Sequence, residues 1–172
     1  VHDRLRSLFT FPNPVNELAA RTVAAGVVVM ATVAVAAGVP WMLVPIAYGF
    51  WARVLTGPTL SPLGQLATRV VVPALGWAPR PTPGPPKRFA QAMGAAMSTA
   101  AVALWATAGW SVARYVLVPL IVAALLESAL GLCLGCRVFA LLMRAGVIPE
   151  RVCRECADLG WRQRDLAGGP AG

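Results

Sequence analysis

The chain has 172 residues, 58% of them hydrophobic and only 13% charged, with fifteen Lys and Arg against seven Asp and Glu and a formal charge of +8. That balance excludes an ordinary water-soluble domain and makes lipid the expected solvent. No nucleic-acid recognition motif accompanies the positive charge, so membrane insertion and anionic lipid account for it better than nucleic acid does.

In chain order, a polar lead carrying His2, Arg4, Arg6, the stretch FPNP and Arg21 precedes four apolar windows, 22–39, 41–55, 93–110 and 116–132. Each is near the roughly 17 to 25 residues that cross a hydrocarbon core of about 30 Å, although the second is short and holds Arg53. The runs are rich in Ala and Leu and lack period-two alternation, which predicts helices rather than strands. A signal peptide is the alternative for the first window, because Ala34-Val35-Ala36 resembles a cleavage site, but the lead is long for one. His2, the only histidine, reads as a solvated residue near the terminus.

After the second window, Ser61-Pro62 makes an N-cap and first-turn pair, and Leu63, Leu66, Ala67 and Val70 fall on one stripe at helical spacing. This predicts an amphipathic helix on the inner membrane surface, with a counterpart over 137–145. The stretch APRPTPGPPKR from Ala78 is rich enough in proline to predict a polyproline-like connector. Residues 160–172 have no apolar pattern and predict a disordered tail.

Thirteen of the fifteen basic residues fall before the first window, between the second and third, or after the fourth, and Arg53 sits near the end of the second on the same side, leaving only Arg114 for the other side. The charge rule for membrane insertion then predicts four spans with both termini cytoplasmic. Tryptophans near the window ends read as interfacial anchors.

A shift of 74 residues superposes Val44-Pro45 on Val118-Pro119, Gly57 on Gly131, Glu17 on Gln91 and Pro12 on Pro86. The reading is a duplicated two-helix unit, about 12–73 and 86–149, in two tandem hairpins of one parallel repeat, with chance similarity between apolar segments as the alternative. The whole of 1–159 is then a single four-span membrane domain. Arg53 and Glu127 become equivalent positions. Ionisable groups inside a span are costly, so each is expected to face the bundle and seek a partner, and each other is the natural choice. The expected role is a packing ion pair, with proton transfer or substrate binding as the alternatives.

All four cysteines fall in C-x-x-C pairs, Cys133 with Cys136 and Cys153 with Cys156. Placed on the cytoplasmic side, they suit either a cycling dithiol system or a four-cysteine site for zinc or another soft metal. For redox work, Cys153 and Cys156 would sit near the start of a helix opened by Pro149, with Arg151 and Arg154 lowering a thiol pKa and Glu150 and Glu155 opposing them. Such a pair would exchange electrons with Cys133 and Cys136. Small buried hydrophobes are the bland reading of the same residues. No nucleotide-binding loop, zinc-protease helix or serine-nucleophile elbow is present.

The segments FPNPVNELAAR, ARVLTGPTLSPLGQLATRVVVP, GPPKRFAQAMG, ESALGLCLGC and PERVCRECADL resemble a family of bacterial, notably actinobacterial, integral membrane proteins that carries a domain of unknown function. The resemblance spans most of residues 11–159. It implies a multi-pass protein of the bacterial inner membrane and an association with thioredoxin-like and sulfurtransferase proteins. Thiol redox or sulfur handling at the four cysteines follows as the expected function, and a non-enzymatic module with a structural zinc as its alternative.

Overall fold

The computed structural model describes residues 11–76, 78 and 80–153 and is mostly helical. Two strands of two residues each, β1 (Val15–Asn16) and β2 (Pro81–Thr82), pair antiparallel with Val15 opposite Thr82 and Asn16 opposite Pro81. This small ladder departs from the all-helical expectation. It fastens the residues before the first long helix to the proline-rich connector.

Helix α1 (Glu17–Ala36) is started by Asn16, whose Oδ1 accepts from the Leu18 N–H at 3.0 Å, with Glu17 in the favourable first turn. A single 3-10 turn, Pro40–Met42, leads into α2 (Leu43–Thr56). Gly57 ends α2 at φ +63°, a conformation that suits glycine. The next helix, α3, is one continuous run in three parts: Pro62–Leu66, a π-helical turn Ala67–Val71, and Val72–Ala74. Pro73 has no N–H to continue the regular ladder, and the Val72 N–H reaches back to the Ala67 carbonyl instead.

Helix α4 (Gly84–Ala108) begins about nine residues earlier than the apolar window suggests, so Gly84, Pro85, Pro86, Lys87 and Arg88 are helix and not polyproline connector. The physical reason is positional. Proline in a first turn sacrifices no intrahelical hydrogen bond and brings a helical φ with it. Gly109 alone, at φ +86°, separates α4 from α5 (Trp110–Leu130). After Gly131 at φ +68°, α6 (Leu134–Arg144) carries an apolar and a charged face, slightly longer than the 137–145 expected.

Three helices, α1, α4 and α5, are long and apolar enough to cross a membrane, the mark of a membrane protein. Helix α2 has 14 residues, or about 21 Å of helix, and falls short of a full crossing by itself. Alanines line many of the helix contacts, as small residues do in lipid, together with a few large side chains such as Leu43, Ile46 and Leu117, while many other large apolar residues face outward. Ala31, Ala34, Ala101 and Ala113 are fully buried at the bundle contacts, whereas Val29 and Tyr115 are more than 60% exposed. The main pairings are α1 with α5, α2 with α4, α4 with α5, and α6 with α4, while α1 and α2 touch little. The helices of the first half therefore lean on the second half more than on each other.

Two close approaches fix the site end of the bundle. A Cβ on Gly94 would lie 2.2 Å from the Phe50 ring, and one on Gly135 would lie 2.5 Å from Cα of Ala90. Only glycine lets α2 and α6 sit that near α4.

Candidate functional site: a buried charge cluster beside a cysteine pair

The polar groups gather where α2, α4 and α5 meet the turn into α6. Glu127 Oε1 accepts from Lys87 Nζ at 2.7 Å, with side-chain exposures of 13% and 5%, so this is a buried ion pair. The expected Arg53–Glu127 pair is thus replaced. Lys87 takes that place because α4 starts early enough to carry it into the cluster, and Glu127 acts on Arg53 only as a nearby charge.

Arg53 is held by neutral groups. Its Nε donates to Gln91 Oε1 at 2.7 Å, its Nη1 donates to Ser61 Oγ at 3.0 Å, and its Cζ lies 4.7 Å from the centre of the Phe50 ring. Ser61 is also the N-cap of α3, with Oγ accepting from the Gly64 N–H at 3.2 Å. Gly49 makes room for the guanidinium, since a Cβ there would lie 3.2 Å from Nη1.

Cys133 is the N-cap of α6. Its Sγ accepts from the Cys136 N–H at 3.4 Å and also from the Cys136 thiol. These bonds decide which of the two sulfurs ionises. The Cys136 thiol hydrogen bond, aided by Lys87 and the Cys136 N–H, holds the Cys133 thiol below its ordinary value of 9.0 against burial and the Glu127 charge. The same hydrogen bond, with burial and the neighbouring Cys133 sulfur, pushes the Cys136 thiol well above the ordinary value. Cys133 is the more acidic thiol of the pair and Cys136 the less acidic.

The turn that presents Cys133 is braced by Arg21, whose place in the sequence gives no sign of that contact. Arg21 Nε and Nη2 donate to the Ser128 carbonyl at 3.2 and 3.1 Å, and Nη2 donates to that of Ala129 at 2.8 Å. These are terminal carbonyls of α5, where a positive charge is favourable.

A cavity of about 220 Å³ runs along this cluster, lined by Arg53, Gln91, Glu127 and Cys133 and otherwise by apolar side chains such as Met97 and Leu120. A second, of about 200 Å³, lies toward Pro12 and Gly57 and shares Arg53 and Gln91 with the first. The Arg53–Gln91 pair is a common wall between them.

Cys133 and Cys136 are free thiols, and Cys153 is disulfide-bonded. Cys153 follows a 3-10 turn, Glu150–Val152, opened by Pro149. Cys156, Arg154, His2 and the expected tail 160–172 lie outside the described residues. Among the described residues, no three His, Cys, Asp or Glu side chains gather as a metal site.

A fold of apolar helices enclosing buried charges and a thiol pair defines a membrane protein with a polar site inside its helical core. Residues 15–144 match DUF4395, a domain of unknown function, and the chain belongs to that family. No curated protein and no solved structure matches the chain.

Proposed function

We propose that the protein is a membrane thiol–disulfide oxidoreductase component whose reactive group is the Cys133 thiolate. The observation that carries this reading is the geometry of C-L-G-C at the start of α6. One sulfur caps the helix and accepts two hydrogen bonds from Cys136, with Lys87 nearby. Cys133 attacks a partner disulfide, one partner sulfur leaves as thiolate, and Cys136 then attacks the mixed disulfide. The pair ends oxidised, and the partner leaves with both electrons. Run in reverse, the same steps reduce the pair.

The disulfide-bonded Cys153 supports the reading from a second side, because a dithiol and a disulfide in one chain form the two halves of an exchange couple. It also weighs against a four-cysteine zinc site, which needs Cys153 as a thiolate. In this proposal the chain sits in a bacterial inner membrane with four spans. Helix α2 together with the 3-10 turn before it forms the short fourth crossing, and both termini are cytoplasmic, as the basic residues favour. A thioredoxin-like protein is the partner class that suits thiols on that side.

The test uses the full chain in lipid nanodiscs equilibrated with glutathione buffers of graded ratio, with cysteines mapped by mass spectrometry. A reversible Cys133–Cys136 disulfide is expected, and Cys136→Ala should accumulate a glutathione adduct at Cys133. Two thiols that stay alkylatable throughout, with no adduct in the variant, would refute the proposal. Stoichiometric zinc on the reduced chain would favour the metal reading instead.

A further inference from the structure

The cluster holds one more cation than carboxylate. Lys87 and Glu127 neutralise each other at 2.7 Å, leaving Arg53 with neutral partners only. Arg53 is 5% exposed, and its Nη2 is buried without any hydrogen-bond partner. An orphaned donor on a buried charged group costs more than one on a neutral group, and a guanidinium is the fork that carboxylates and other oxyanions fit. The cavity that Arg53 lines is also lined by the Cys133 side of the thiol pair. Its wall is otherwise apolar, so charge inside it is weakly screened and an anion there interacts strongly with Arg53.

We propose that this cavity is a binding subsite for a small anion, which Arg53 and Gln91 hold by its carboxylate or other oxyanion group beside the Cys133 sulfur. The Arg53 guanidinium, with a donor still unused, pairs with the anion, and the Gln91 amide, whose Oε1 is taken by Arg53, has its N–H groups to offer. The carboxylate of Glu127 and, once ionised, the Cys133 sulfur line the same cavity and oppose the anion; Lys87 compensates the carboxylate, and the subsite holds an anion best below the Cys133 midpoint, where that sulfur is still a neutral thiol. The subsite therefore selects a singly charged ligand over a neutral one of equal shape. This inference stands on Arg53 and the cavity and does not need the exchange reaction.

Iodoacetate and iodoacetamide test it, since they are nearly equal in size and differ in charge. Both consume thiolate, so the ratio of their rates at one cysteine cancels any change in that cysteine's ionisation. The ratio at Cys133 is measured on the reduced full chain in nanodiscs of zwitterionic lipid. Arg53→Gln should lower the iodoacetate-to-iodoacetamide ratio about tenfold, as befits one charge-assisted hydrogen bond, while Arg53→Lys should retain most of it. An unchanged ratio in Arg53→Gln, or a ratio lost only in Lys87→Gln, would overturn the proposal. Should Arg53→Gln fail to fold, the wild-type chain decides the matter by protection of Cys133 against iodoacetamide. Protection by propionate and not by propionamide supports an anion that arrives through water, and protection by decanoate but neither decanol nor propionate supports an acyl carboxylate drawn from the bilayer. No protection by either carboxylate overturns the proposal.

Discussion

The two turns that follow α2 and α5 share one local design and differ in one atom type. Each leaves its helix through a glycine of positive φ, Gly57 or Gly131. Each enters the next helix through an N-cap whose side chain accepts the N–H three residues on, Ser61 from Gly64 and Cys133 from Cys136. In the first turn the cap is a hydroxyl that also receives Arg53, and it completes the structure without titrating near neutral pH. In the second the cap is a thiol, and the hydrogen bond from the Cys136 thiol, helped by Lys87 and the Cys136 N–H, makes it more acidic than an ordinary thiol. Local structure is shared between the turns, and chemistry enters with the sulfur.

The largest expected effect tests the cluster on which both turns rest. Lys87→Met leaves Glu127 buried without its cation and should cost about 3 to 5 kcal/mol, read as the unfolding midpoint in mixed micelles. Adding Glu127→Leu to that variant should recover most of the loss, because two packed apolar groups replace the pair. A single variant as stable as wild type would show that the pair is solvated and not buried.

Next in size is Gly135→Ala. Its Cβ meets the Ala90 backbone, which cannot swing aside as a side chain can, so α6 must move off α4. A loss of about 1 to 3 kcal/mol is expected. With α6 displaced, Cys133 should also become less acidic, since Lys87 belongs to α4. Retention of both properties would mean that the close approach does not position the thiol.

The caps themselves sharpen the comparison. Ser61→Ala removes a cap and a partner of buried Arg53, for a cost of about 1 to 2 kcal/mol with thiol reactivity retained. Cys133→Ser keeps an N-cap of good quality and should change stability by less than about 0.5 kcal/mol while abolishing adduct formation. If the two variants exchanged these outcomes, the division into a structural turn and a chemical turn would be wrong.

Much of this was legible in the sequence, and the failures share a cause. The runs behind α1, α4 and α5, the Ser61-Pro62 helix start and the paired glycines at 57 and 131 are local signals that could be read in place. Lys87 is hidden in the sequence because Pro85 and Pro86 look like breakers, whereas at a helix start they are permissive. The partners of Arg53 depend on which helices touch: Gln91 comes from α4, and no periodicity announces that contact. Cys133 as a cap, and Gly135 as the residue that lets α6 close on Ala90, likewise need a neighbour that lies far away in the chain. Sequence therefore singled out Cys133, Cys136, Arg53 and Glu127, and tertiary packing chose their partners.

If Cys133 ionises before Cys136, the pH dependence of alkylation shows that order. The reduced full chain in nanodiscs is pulsed with iodoacetamide across pH 6–11, a range chosen to bracket the ordinary thiol value of 9.0, and each cysteine is quantified by mass spectrometry. Since the folded thiol ionises more readily than the unfolded one, its thiolate stabilises the fold above that ordinary value, and this contribution is lost as pH falls through the depressed value. Removing the Cys136 donor should raise the Cys133 midpoint, and removing Lys87 should raise it less, in the order of their influence on the sulfur. The expected result is a Cys133 midpoint below 9.0, a Cys136 that stays unreactive well above it, and an upward move of the Cys133 midpoint in Cys136→Ala. Equal midpoints for the two thiols, or Cys136 reacting first, would contradict it.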